Sequence, residues 1–244
     1  IVNLGATAIG TTVTAAPGYP ELAVKNLAEL TGIDFKNSED LIAATSDCGA
    51  YMTLSSAIKG LAVKMTKVCN DIRLLASGPR CGLKEINLPQ LQPGSSIMPG
   101  KVNPVAAEVA NQASFLAIGL DTTVMLAASA GQLELNVMEP VITFALYTQM
   151  KVMTNACDTL RTKLVEGVTA NTERCKDYVM NSIGIVTLLK PHFGYQKCAA
   201  IAKEGYTTGK SLHQIVVDEQ HLMTQAEWDA TFNTQNLIHP KFVK

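Results

Sequence analysis

Between Asp47 and Ser77 the apolar positions fall at Leu54, Ile58, Leu61, Met65, Val68, Ile72 and Leu75, in alternating steps of four and three. A seam of that period, roughly 3.5 residues, belongs to a long helix packed nearly parallel with others. Lys59, Lys64, Lys67 and Arg73 lie off the seam. Gly78 can take φ > 0 and Pro79 cannot continue a helix, so the pair predicts where it stops. A second helical stretch is predicted from Val105 to about Ala130, with Val109, Phe115, Leu116, Val124 and Leu126 among its apolar members. Its many Ala and other small residues suit close packing inside a bundle. A third opens near Pro140, a good first-turn residue. Ile142, Leu146, Met153, Cys157, Leu160 and Leu164 give it a buried stripe, and Gly167 lies just beyond.

After Thr169 the texture changes: segments shorten, and Gly184, Pro191, Gly194, Gly205 and Gly209 punctuate them. Asn171 is an N-cap candidate for a helix to about Leu188. Thr224 and Glu227 form a capping-box pattern that opens a short helix through Phe232. No β alternation, internal repeat or low-complexity tract stands out. The fold expected is all-α: a long-helix bundle over residues 1–168, its three central helices antiparallel by connectivity, and a small helical C-terminal domain over 169–244.

Between the first two long helices, from Arg80 to Pro104, the periodicity disappears. A long connection without structure inside a compact chain is functional or disordered. Its informative part, at 93–104, contains Gly94-Ser95-Ser96-Ile97-Met98-Pro99-Gly100-Lys101-Val102-Asn103-Pro104. Gly94 and Gly100 allow a conformation that closes over a ligand. Backbone N–H groups outside secondary structure can point at an anion. Lys101 supplies a point charge, Asn103 a donor and an acceptor. The helix that follows turns its positive dipole end toward the same place. A small dicarboxylate is a natural ligand for such a set. An ordinary surface turn uses the same residue types, so composition alone leaves both readings open.

A formal net charge of −1 over 244 residues gives no basic surface for nucleic acid or another polyanion. No apolar run is expected to be long enough to span a bilayer. The opening IVNLGATAIGTT has no signal-peptide pattern, lacks an initiator Met and begins inside what reads as structured sequence, as expected of a fragment of a longer protein. Cys48, Cys69, Cys81, Cys157, Cys175 and Cys198 are scattered, with no C-x-x-C pair and no His at ligand spacing. They read as buried, reduced thiols of a cytoplasmic protein, with no metal. Thr208-Gly209-Lys210-Ser211 imitates the end of a phosphate loop. It lacks the required gap from an upstream Gly and a preceding strand, so a helix start capped by Thr208 or Ser211 fits it better. His192, His213, His221 and His239 read as surface or locally hydrogen-bonded residues. Glu134 and Asn136 read as buried members of a core network more readily than as lining of a site.

The string GSSIMPGKVNP matches every fixed position of G-S-x-x-M-x-x-K-x-N, the signature loop of the aspartase/fumarase superfamily, which the chain resembles over nearly its whole length. Gly5–Thr11 (GATAIGT), Thr45–Tyr51, Ser77–Pro89, Ala130–Val141 and Asn181–Leu189 look like the aspartase branch in particular. The expectation is the C-terminal half of such a lyase. One stretch departs from the pattern. Where relatives often read G-T-G-L-N, this chain has Gly10-Thr11-Thr12-Val13-Thr14, which puts any ligand-binding role there in doubt.

The resemblance implies anti elimination of ammonia from L-aspartate to fumarate through an aci-carboxylate. Ser95 would be the base, with Ser96 and nearby amides stabilising the intermediate. Lys101 and Asn103 would hold substrate carboxylate oxygens, with Gly94 and Met98 as loop members. Glu108 would pair with a His supplied elsewhere. It further implies no cofactor, a homotetramer whose sites draw on three subunits, and a chain that is inactive alone. Fumarase chemistry and a noncatalytic oligomerisation role are the alternatives. No nucleic-acid or membrane partner is expected.

Overall fold

The computed structural model describes residues 1–238, and its contacts divide the chain into two compact units, Ile1–Thr169 and Ala170–Lys244. The first contains α1 (Tyr19–Thr31), α2 (Leu41–Ser46), α3 (Gly49–Leu75), α4 (Val105–Ser129) and α5 (Glu139–Lys163). Helix α2 begins at Asp40, whose carboxylate accepts from the amides of Ile42 and Ala43. Pro140 stands in the first turn of α5, where its missing N–H has no intrahelical acceptor to lose.

The three long helices form an up-down-up bundle. Ser55, early in α3, bonds Asp121, late in α4, and Asn70, late in α3, bonds Asn111, early in α4. Cys48 packs with Val124 and Ile142 at one end, while Cys69, Ala106 and Ala110 pack with Met153 and Ala156 at the other. The buried positions of α4 are almost all small: Ala106, Ala107, Ala110, Ser114, Ala117 and Ala127. Small side chains let helix axes approach closely, so backbone and Cβ contacts supply most of the packing.

This packing revises the predicted seams. Helix α3 buries Ser55, Ala62, Met65 and Cys69, whereas Leu54, Leu61 and Val68 of the predicted seam are exposed. The inner line keeps the heptad spacing but is displaced by one residue at those positions. Likewise Val109, Phe115, Leu116 and Leu126 of α4 face outward, and of the named apolar residues only Val124 is buried. In α5, Cys157 is exposed while Ala156 is buried. Hydropathy marks which residues want to leave water, but not which neighbour covers them.

By length and composition α4 is apolar enough to cross a membrane, a correction to the sequence reading. Its charged Asp121 and its amide Asn111 are nevertheless buried against α3, and it is the middle helix of the bundle. That placement is the one expected of a core helix of a globular unit.

The second unit contains α6 (Thr172–Met180), α7 (Lys190–Thr208, broken at Gly194), α8 (Gln225–Thr231) and α9 (Thr234–Ile238). The single helix predicted from Asn171 to about Leu188 is two: α6 stops at Met180, and a 3₁₀ segment, Ile183–Leu189, follows. Ser182 starts that segment by accepting from the Gly184 amide. The capping box at Thr224 forms with both of its bonds. Thr208 ends α7, while Ser211 Oγ accepts from the Gln214 amide and caps the next turn. Leu189, Ile201, Leu212, Ile215, Trp228 and Phe232 make the core of this unit. Two dipeptide strands, Ile86–Asn87 and Thr169–Ala170, are the named β structure among the described residues.

Cys48, Cys69, Cys81, Cys157 and Cys198 are free thiols. Cys48, Cys69 and Cys198 are buried as expected, and burial pushes their thiols up from their ordinary values. Cys81 and Cys157 are exposed, which the sequence did not anticipate.

Candidate functional site

The loop before α4 is closed at its neck by its own backbone. The Gly94 amide donates to the Lys101 carbonyl at 3.1 Å, and Asn103 Nδ2 donates to the Gly94 carbonyl at 2.8 Å. A Cβ on Gly94 would lie 2.3 Å from the Lys101 oxygen, so this crossing requires glycine. Gly100 turns the chain at φ +78.

Inside the loop, Ser95 Oγ accepts from the amides of Ile97 and Met98, each at 3.2 Å. Two oriented N–H dipoles stabilise negative charge on that oxygen. Ser95 and Asn103 are half-buried, whereas Ser96, Met98 and Lys101 are exposed. Glu108 is half-buried in the first turn of α4, and its amide donates to the Pro104 carbonyl. One N–H of the Asn103 amide is thus committed to the loop neck, and its second N–H is left for other partners.

Met98, Lys101 and Asn103 line one wall of a cleft of about 510 Å³. The rest of the lining includes Arg73, Gly78 and Lys84, from the end of α3 and the turn after it. That turn is tied to the helix end: the Lys84 amide donates to the Ser77 carbonyl, and the Glu85 amide to that of Leu75, both at 2.9 Å. The lining contains three cations and no carboxylate. Ser95 does not line this cleft. Sequence reasoning did not place Arg73 at this cleft. Its only signal was a position off the apolar seam in the last turn of α3.

A second polar cluster lies inside the bundle. Asp121 is paired with Lys59 and accepts from Ser55 Oγ at 2.8 Å. Gln149 Nε2 donates to Ser55 Oγ at 3.1 Å and to the Ala117 carbonyl at 2.9 Å. Burial raises the Asp121 pKa, but the bonds from Lys59, Ser55 and Ser56 together with the Lys59 charge outweigh it and leave the carboxyl below its ordinary value. The signal for this cluster was a lone carboxylate in an apolar stretch of α4. Asn136 is buried and structural, as read from sequence, donating to the carbonyls of Ala127 and Ala128. Glu134 is exposed, so it is no part of that core.

His213 pairs with Gln225, His221 with the Val217 carbonyl, and His192 lies beside Phe193. His239 lies outside the described residues. Among the described residues no cluster of His, Cys, Asp and Glu could hold a metal ion.

The family described as "Lyase" matches residues 1–119, and the one described as "Fumarase C C-terminus" matches residues 185–239. Aspartate ammonia-lyase of Escherichia coli (strain K12) is 57% identical over 241 residues, covering 99% of this chain and 50% of that protein. The Helicobacter pylori (strain ATCC 700392 / 26695) protein of the same name is 52% identical, covering 100% of this chain and 52% of its own length. Among solved structures, a fumarate lyase:delta crystallin from Brucella melitensis superposes with a TM-score of 0.90 at 42% identity, over 94% of this chain and 50% of that one. A class II fumarase from Schistosoma mansoni gives a TM-score of 0.89 at 32% identity, over 98% of this chain and 53% of that one. Both stretches thus make the chain similar to the lyases of the aspartase/fumarase superfamily. These two curated relatives carry the name aspartate ammonia-lyase, and the chain spans about half their length.

Proposed function

We propose that this chain is part of an aspartate ammonia-lyase, which removes ammonia from L-aspartate to give fumarate. Ser95 takes the β-proton, and anti elimination expels the amine from an aci-carboxylate intermediate. The observation that carries the reading is the Ser95 hydroxyl accepting from two amides of the loop that also carries Lys101 and Asn103. An isolated serine is far too weak a base at neutral pH. It serves here only if the alkoxide is held by fixed dipoles and a cation in a site closed to water. Loop closure is therefore a step of the mechanism. Lys101 and Asn103 bind carboxylate oxygens, Ser96 and the neighbouring amides take up charge on the intermediate, and Glu108 orients a group from elsewhere in the assembly.

The exposed apolar faces of α3, α4 and α5 support self-association, with a tetramer as the proposed state. Phe115, Phe144 and Tyr147 are each more than half exposed. Large outward apolar residues in such number mark an interface. The described histidines all belong to the second unit and none lines the loop cleft. The chain by itself is therefore expected to be inactive. A cytoplasmic location is proposed with the assignment.

Fumarase, adding water in place of ammonia, is the second reading, favoured by the match of residues 185–239 to a fumarase C-terminal family. The test is ultraviolet absorbance of fumarate formed by the full-length protein from L-aspartate and, separately, from L-malate. Product from aspartate alone supports the ammonia-lyase, and product from malate alone moves the protein to fumarase. Ser95→Ala should lower turnover at least 1,000-fold while leaving the melting temperature and substrate affinity nearly unchanged. Near-normal turnover by that variant would assign the base to another group.

A further inference from the structure

We propose that Arg73 is a carboxylate-binding residue of the loop site, the one that selects a dicarboxylate over a monocarboxylate. The inference rests on the dicarboxylate reading above and adds a residue to it. Arg73 occupies the last turn of α3 and lines the same cleft as Lys101. Like charges converging on one cleft repel, and an anion between them removes the repulsion. Among the described residues no carboxylate pairs with Arg73 or Lys101, so these residues do not supply that anion.

The guanidinium is also held from behind. Its Nη1 donates to Asn70 Oδ1 at 3.4 Å, and the same oxygen accepts from Asn111 Nδ2 at 2.8 Å. Asn111 is 3% exposed, and its own Oδ1 is buried without a partner. A buried amide retained at that cost and aimed at the neighbour of Arg73 is what a positioning relay requires. The planar fork then has N–H groups left to bind a carboxylate in bidentate fashion, which an ammonium cannot do. A cleft of about 510 Å³ holds a four-carbon dianion with room for the loop to close, one carboxylate on Lys101 and the other on Arg73. Closure brings Ser95 to the same ligand.

The test uses the full-length protein, with calorimetric affinities for succinate and for propionate measured on wild type, Arg73→Met and Arg73→Lys. Arg73→Met should weaken succinate about 10- to 100-fold and propionate less than about 3-fold, as loss of a charge-assisted bidentate contact predicts. Arg73→Lys should recover only part of the succinate loss. Equal weakening of both acids would make Arg73 a mere prop for the loop and overturn the proposal, as would no change in either. Wild type that binds succinate with this pattern but turns over neither aspartate nor malate would sink the lyase reading and leave the Arg73 assignment standing. Failure of wild type to bind succinate overturns the assignment itself.

Discussion

The two units bury their apolar residues in opposite ways. The second encloses large side chains: Leu189, Ile201 and Ile215 are at most 1% exposed, and Trp228 stacks on Phe232 with centroids 3.9 Å apart. The first buries chiefly alanine, serine and a few polar groups between its long helices, and leaves Phe115, Phe144 and Tyr147 in solvent. One unit has finished its core with its own atoms. The other is packed tightly within yet carries its largest apolar groups on the outside, where a second copy can cover them. Burial of a large side chain removes more apolar area from water than burial of an alanine. Under the proposed self-association, much of the hydrophobic stabilisation available to the bundle is realised only on assembly.

That contrast can be tested by substitutions of decreasing effect. Trp228→Ala should cost about 3–5 kcal/mol, because it empties a buried aromatic site in a self-contained core. Calorimetry should show the loss in the second unit, and a loss under about 1 kcal/mol would mean that this core is not self-contained. Phe144→Lys should raise the dissociation constant of the oligomer about 100-fold, by placing a charge in the covered face, with helicity preserved. Sedimentation reads the first and circular dichroism the second. An unchanged oligomer would leave that face without a partner.

Lys59→Met should cost about 2 kcal/mol, since it leaves a mostly buried carboxylate with only serine hydroxyls. The Lys59 side chain is 40% exposed, so the effect falls below that of a fully enclosed pair. The pair also has a pH signature. A carboxyl whose folded pKa is lowered contributes its stability above the unfolded value and loses it as pH falls through the folded one. Wild type should therefore lose more stability on acidification than Asp121→Asn, as read from melting temperatures between pH 7 and pH 3. Parallel acid profiles would remove Asp121 from the account.

The smallest effect concerns the stretch that departs from the family pattern. Thr12 and Thr14 have φ of 59 and 74, where glycine and asparagine are favoured and a β-branched residue is strained. These are the two positions at which relatives often carry Gly and Asn. Thr12→Gly with Thr14→Asn should stabilise the protein by about 1 kcal/mol through relief of that strain. No gain, measured by denaturant unfolding, would mean that the loop adopts another conformation in the assembly.

The sequence by itself determined the helical class, the ends of the long helices and the identity of the loop. Those depend on local rules: Pro79 after Gly78, Pro140 in a first turn, Thr224 with Glu227, and a string of fixed spacing around Ser95. The tertiary structure alone decided which face of each helix is inner. Leu61 and Ala62 are neighbours in sequence, and the alanine is buried because close helix approach excludes a larger side chain. It alone brought Arg73 to the cleft that Lys101 lines, and Asp121 against Lys59 and Ser55. These pairings join residues far apart in the chain, and no periodicity encodes them, because each depends on how the helices pack in three dimensions.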